Sequence, residues 1–174
     1  VTKKILSTKE LICILATLLI VTGIHVLAGL CAAAQPTTIK GLVVGVSDGD
    51  TIKILTPAKE ELRIRLYGID CPEKRQAFGQ AAKKFTSDQV YKKNVSVTVL
   101  ESDRYGRKVG LVYYGQECVN AKILKAGLAW VYDKYCKAAV CRDFDYYEQE
   151  ARKSRLGLWS YKNPIPPWEF RKKR

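Results

Sequence analysis

Histidine is nearly absent from this sequence. The only one, His25, lies in an apolar N-terminal stretch. Nothing after it can supply an imidazole for a Ser-His-Asp triad, a Cys-His pair or a histidine-bound zinc. Acidic residues are scarce too: 17 stand against 30 lysines and arginines, for a formal net charge of +13. A field of that sign favours polyanions such as nucleic acid, anionic lipid or an acidic polymer, and is also compatible with a merely soluble basic protein. There is no internal repeat and no sign of a second folded domain in the 174 residues, a length sufficient for one domain with its own core. If the chain is a hydrolase, carboxylates and arginines must carry the chemistry.

The N-terminus stands apart. Lys3, Lys4 and Lys9 precede "LICILATLLIVTGI", Leu11 to Ile24, and Ala32-Ala33-Ala34 gives a small-x-small pattern before Gln35. Charged start, apolar centre and small-residue end are the parts of a secretory signal. Counted through Leu30, the apolar stretch reaches about twenty residues, enough for a retained membrane anchor. Residues 1–34 are therefore expected to be a signal peptide or an anchor, with a possible tether through residues 11–30, and residues 35–174 the functional domain. Without the first 34 residues, which hold three lysines and one glutamate, the net charge is +11. Bulky Leu30 before Cys31 argues against a lipoprotein site.

Of the six cysteines, Cys13 and Cys31 fall in the leader. Cys136 and Cys141, in "YCKAAVCRD", are close enough to bridge a short loop and lack the spacing of a zinc site. A disulfide there suits an exported protein, periplasmic or secreted, or anchored with its domain outside the cytoplasm. Cys118 reads as a buried apolar residue.

From Ile39 the pattern is one of short strands. "IKGLVVGVSD" ends at the turn dipeptide Asp48-Gly49, and "TIKIL" follows. In "LRIRLYGI", Leu62, Ile64 and Leu66 alternate with Arg63, Arg65 and Tyr67. A helix is expected over about Gln76 to Tyr91, from Phe78, Ala81, Ala82, Phe85 and Val90 near 3.6 spacing. "NVSVTVL" and "KVGLVYY" are two more strands, "VNAKILKAG" a second helix stopped at Gly127, and Tyr146 to Arg155 a third. The tail "NPIPPWEFRKKR" reads as extended. Five short strands with three helices, mainly β within an α+β class, fit a five-stranded oligonucleotide/oligosaccharide-binding (OB-fold) barrel.

Acids cluster at the strand edges. Asp50 follows Gly49 and Asp70 shortly follows Gly68, so strand pairing can bring the two together. Two carboxylates with a backbone carbonyl and waters suit a hard cation such as Ca²⁺. Glu73 follows Pro72, which stiffens its turn. Asp48-Gly49 also reads as an ordinary hairpin turn, and Glu73 as an ordinary acid at a helix start. Arg65 shares the strand that delivers Asp70, and Arg107 follows the Gly106 turn. Guanidinium forks beside such acids meet the requirement for stabilising charge on a transferring phosphoryl group.

Taken in order and spacing, "DGDTIKI", "RLYGIDCPE", "FGQAAKKF", "DRYGRKVGLVY" and "GLAWVY" resemble the staphylococcal nuclease-like (thermonuclease) family over about Ile39 to Trp159. The family fold is the five-stranded barrel with three helices. The resemblance implies that Asp50 and Asp70 bind calcium with the backbone carbonyl of Cys71, which stands where the best-known member has a threonine. It implies that Glu73 activates the attacking water and that Arg65 and Arg107 bind the scissile phosphate. Arg104 and Tyr105 take the places of a Lys-Tyr pair at the nucleotide's terminal phosphate, and Tyr132 or Tyr135 would offer a face for a base. The implied activity is calcium-dependent hydrolysis of DNA and RNA, single-stranded or locally open, with little sequence preference and 3′-phosphate ends, by a monomer. The alternative is a noncatalytic nucleic-acid-binding barrel, which would be expected to lack some of Asp50, Arg65, Asp70, Glu73 and Arg107; none is missing.

Overall fold

The computed structural model describes residues 37–173. The leader, with His25, Cys13, Cys31 and its signal-or-anchor alternatives, lies outside the described residues. Five strands form the barrel: β1 (Thr37–Asp48), β2 (Thr51–Leu55), β3 (Glu61–Leu66), β5 (Asn94–Ser102) and β6 (Lys108–Tyr114). Their order is β3-β2-β1-β5-β6, and a parallel pairing of β3 with β6 closes the ring. β1 makes the closure possible. Its first half pairs with β5 and its second half with β2, and two register shifts in that second half bend it. A two-residue strand β7 (Glu117–Cys118) pairs antiparallel with the end of β6, and β4 (Ile69–Asp70) pairs with β8 (Trp130–Val131) outside the barrel.

The interior is filled by the inward faces of these strands. Val43, Ile52, Ile54, Ile64, Val97 and Val112 are fully buried, each contributing about 1.5–3 kcal/mol relative to exposure. The alternation expected in β3 holds for Ile64 and Leu66, whereas Leu62 is half-buried near the strand's open end.

Three helices pack around the barrel, as expected: α1 (Gly79–Val90), α2 (Val119–Lys125) and α3 (Cys141–Lys153). The first begins later than its apolar spacing suggests, because Phe78 takes a left-handed conformation (φ 65°) and the Gln76 side chain accepts a bond from the Glu73 amide (3.1 Å). α3 begins earlier than expected, at Cys141, which is disulfide-bonded to Cys136 with the Cα atoms 5.7 Å apart. The polar run before Tyr146 hides one anchor from the periodicity, the fully buried Phe144. Cys118 is only half-buried and carries a free thiol.

The largest departure is the tail. After a 3₁₀ turn at Gly157–Ser160, the chain forms a short helix α4 (Pro167–Lys172) where an extended tail was expected. Pro167 sits at the first helical position, where its missing N–H costs nothing, Glu169 lies in the first turn, and Arg171 and Lys172 lie in the last. Among the described residues no helix is long and apolar enough to cross a membrane.

One buried polar side chain ties the barrel to its helices. Asn120 on α2 is fully buried, accepts from the Val112 amide (3.0 Å) and donates to the carbonyls of Tyr67 (2.9 Å) and Gly110 (3.3 Å). Replacing it removes this partner from the buried Val112 amide and Tyr67 carbonyl, whereas the Gly110 carbonyl keeps its bond from the Tyr67 amide (2.8 Å). Asn120→Ala is therefore expected to destabilise the protein by about 2–4 kcal/mol in urea unfolding; a loss below about 0.5 kcal/mol would mean that water substitutes for the amide.

Candidate active site

The site is built at the β1–β2 turn. A Cβ on Gly49 would lie 2.7 Å from the Cβ of Cys71 and 2.8 Å from that of Ala82, so only glycine lets this turn close against the β4 corner and α1. Thr86 on α1 donates to the Gly49 carbonyl (2.6 Å), and the Asp50 amide donates to Asp48 (3.2 Å). The turn is thereby held from both sides, with Asp50 pointing inward.

Strand register then supplies the arginine. Thr51 pairs with Arg65 across β2 and β3, which sets Arg65 beside Asp50. Its guanidinium bridges two acids: Nη1 donates to Asp50 Oδ1, and Nη2 donates to Asp70 Oδ1 (2.7 Å) and to the Ile69 carbonyl (3.2 Å). Asp70 is held by its pairing with Trp130 across β4 and β8. The Cys71 amide donates to Asp50 Oδ2 (2.6 Å). Both carboxylates are deeply buried, at 2% and 1% exposure, while the arginine keeps 19%.

Burial is the largest influence on Asp50. It pushes the carboxyl up from 3.8 to about 8 against the pull of Arg65, and Asp48 and Asp70 push the same way. Burial works against the charge on Arg65, but Asp50 and Asp70 more than offset it and keep the guanidinium protonated. Burial, then the charge on Asp50, drives the Cys71 thiol well above its usual range. At 4% exposure this cysteine stays a thiol at neutral pH and is a poor target for oxidation.

Glu73 lies at the open side. A Cβ on Gly79 would collide with the Glu73 carbonyl oxygen, so the first residue of α1 must be glycine for this loop to pack. The Glu73 carboxylate is one-third exposed and accepts from Arg171 Nη1 (2.7 Å). That same guanidinium donates to Asp70 Oδ2 (2.8 Å) and, at 3.3 Å, to Asp70 Oδ1. Arg171 escaped the sequence reading. The proline-opened, acid-then-base pattern of "PPWEFRK" is a helix signature, but nothing local shows where such a helix docks.

Arg107 is placed differently. It precedes β6, whose Lys108 pairs with Ile64 of β3, so it stands near the arginine strand. Its Nε, however, donates to Asp103 (2.6 Å) rather than reaching the carboxylate pair. Although burial opposes it, bonds from Arg107 and Tyr105 lower the pKa of Asp103. In the same turn Arg104 donates to the Tyr105 hydroxyl (2.7 Å), and Tyr105 is 59% exposed. Tyr132 and Tyr135 meet edge to face at 4.8 Å. Tyr135 is open to solvent, whereas Tyr132 is stacked on Trp168 of α4 at 5.2 Å and 7°.

Among the described residues no group of three or more His, Cys, Asp and Glu side chains forms a ready metal cage. Two buried carboxylates at one corner, with the Cys71 thiol held protonated by its burial, nonetheless fit a hard cation that takes oxygen ligands and keeps several waters.

Comparison with known proteins matches residues 63–161 to the family described as staphylococcal nuclease homologue. That segment contains Arg65, Asp70, Cys71, Glu73 and Arg107; Asp50 precedes it. The chain is 42% identical over 142 residues to a micrococcal nuclease of Shigella flexneri, covering 76% of this chain and 80% of the relative. It is 41% identical over 130 residues to an uncharacterized endonuclease of Haemophilus influenzae, covering 75% and 71%. A staphylococcal-like nuclease of Arabidopsis thaliana is 43% identical over 115 residues, 66% of this chain and 35% of the plant protein.

The raised Asp50 carboxyl makes a test of the buried pair. A folded-state value above the unfolded one means that the folded form holds more protons between 3.8 and about 8. The stabilisation from Asp50 is therefore fully present below that window and is lost as pH rises through it. In divalent-free buffer, the stability of the wild type relative to Asp50→Asn is expected to fall across the window in urea titrations. A flat difference would show that Arg65 neutralises Asp50 completely.

Proposed function

The chain belongs to the staphylococcal nuclease homologue family, and from that premise we propose that it is a calcium-dependent nuclease hydrolysing DNA and RNA with little sequence preference. The observation that carries this reading is the buried Asp50–Asp70 pair held on Arg65, with Glu73 at its open side. Asp50, Asp70 and the Cys71 carbonyl would hold the ion, and bound calcium would supply charge against a phosphate oxygen and orientation for a water.

The chain's own groups account for the remaining steps. Glu73, the most accessible of the three carboxylates, takes the proton of the attacking water. The water oxygen bonds to phosphorus, the bond to the 5′ oxygen breaks and that oxygen takes a proton from solvent, leaving a 3′-phosphate. Arg65 turns its fork to the charge developing on the phosphate oxygens, and Arg107 adds a second fork by giving up Asp103. Arg104 and Tyr105 sit in an exposed turn suited to a terminal phosphate, and Tyr135 offers an open ring to a base, most readily in single-stranded or locally open substrate. The basic domain attracts the backbone, and its binding weakens with salt.

The same proposal puts a monomeric domain outside the cytoplasm, secreted, periplasmic or tethered through residues 11–30. The Cys136–Cys141 disulfide supports it, since such bonds persist in oxidising compartments.

Cleavage of single-stranded DNA and RNA by the full chain should require Ca²⁺, stop with a chelator, and yield ends that a polymerase extends only after dephosphorylation. Glu73→Gln should lower the cleavage rate by about 10²–10⁴-fold with nucleic-acid binding retained. Undiminished cleavage in the variant would remove Glu73 from the reaction. Binding without cleavage by the wild type would support the noncatalytic barrel instead.

A further inference from the structure

Arg171 has no part in the proposed reaction, yet its guanidinium lies on the oxygens the reaction needs. It takes Asp70 Oδ2 at 2.8 Å and Glu73 Oε1 at 2.7 Å. Three residues earlier on the same short helix, Trp168 lies flat on Tyr132 at 5.2 Å. Positions three apart share a helix face, so α4 turns both side chains toward the site at once. One occupies a carboxylate pair as a cation would, and the other occupies an aromatic face as a base would.

We propose that α4 is a resident occupant of the active site, which the divalent cation and the nucleic acid must displace in order to bind. This rests on the calcium-dependent nuclease reading. The Arg171 guanidinium and a divalent cation held by Asp70 repel one another and compete for the same carboxylate, so each weakens the other's hold by the same factor.

The helix is built to be displaced. It has six residues, too few for a stable helix on its own, and Pro167 is its only buried residue. Arg171 is 41% exposed and Glu73 one-third exposed, so water competes for that ion pair, while Asp70 meets the same guanidinium from a buried position. An open groove of about 590 Å³, walled in part by Trp130, Trp159, Tyr161 and Trp168, borders the helix. What holds it besides these contacts includes one bond from the Gln76 side-chain amide to the Ile165 carbonyl. The proline-rich approach, Asn163 to Pro167, limits how far a released helix strays.

Calcium titration of the full chain by calorimetry, without nucleic acid, tests this. Arg171→Gln should bind Ca²⁺ about tenfold more tightly than wild type. Trp168→Ala, which leaves every charge in place, should also bind more tightly, by about threefold, because it loosens the helix without touching the carboxylates. Calcium binding of equal strength in wild type and both variants would overturn the proposal while leaving the nuclease reading intact. Tighter binding by Arg171→Gln alone would overturn it too, since removing a nearby positive charge is then sufficient. No calcium binding by wild type or either variant, matching an Asp50→Asn control, would overturn the metal reading and this proposal with it.

Discussion

Everything in this site depends on one guanidinium between two buried carboxylates. Asp50 and Asp70 come from different corners of the fold, and each is almost sealed from solvent. Brought together alone they would repel in a medium that screens poorly. Arg65 makes the arrangement tolerable, and it does so incompletely: burial still leaves the Asp50 carboxyl near 8. Removing one partner of such a buried set costs about 3–5 kcal/mol, because the remaining charge has nowhere to go. A hard cation between the two carboxylates would favour their ionised forms and offset that burial cost.

The barrel exists, functionally, to hold that triad still. The β2–β3 register sets Arg65 opposite Thr51 and so beside Asp50, and the β4–β8 pairing fixes Asp70. Gly49 and Thr86 close the turn from beneath, and Gly79 brings the Glu73 loop against α1. Apart from the buried Thr86 hydroxyl, each of these supports is a backbone constraint. That rigidity contrasts with the exposed surroundings: Tyr105, Tyr135 and the short α4 sit on the rim, where adaptability to a polymer substrate is useful and few contacts hold the chain.

Much of this was legible in linear order because it is governed by local rules. Alternation in "LRIRLYGI" separates Ile64 and Leu66 from Arg65, and turn glycines mark where Asp50 and Asp70 leave the sheet. The Cys136–Cys141 pairing follows from their separation in the chain. What failed did so where local rules compete with contacts from afar. Gln76 opens a helix by spacing, but its side chain bonds the Glu73 amide instead. The residues from Cys141 to Asp145 look too polar to belong to a helix, but Phe144 and the disulfide pin them into one.

The sequence by itself determined the barrel and its turns and pointed to the acids and arginines proposed for the site, since hydrophobic period, turn chemistry and the ordered set of charged residues are properties of neighbours along the chain. Only the tertiary structure decided which arginine neutralises which acid. It turned Arg107 toward Asp103, gave Arg65 to both buried aspartates, and delivered Arg171 from 98 residues beyond Glu73. Such pairings depend on where distant segments dock and on how much solvent is excluded there, and neither is encoded in any single stretch.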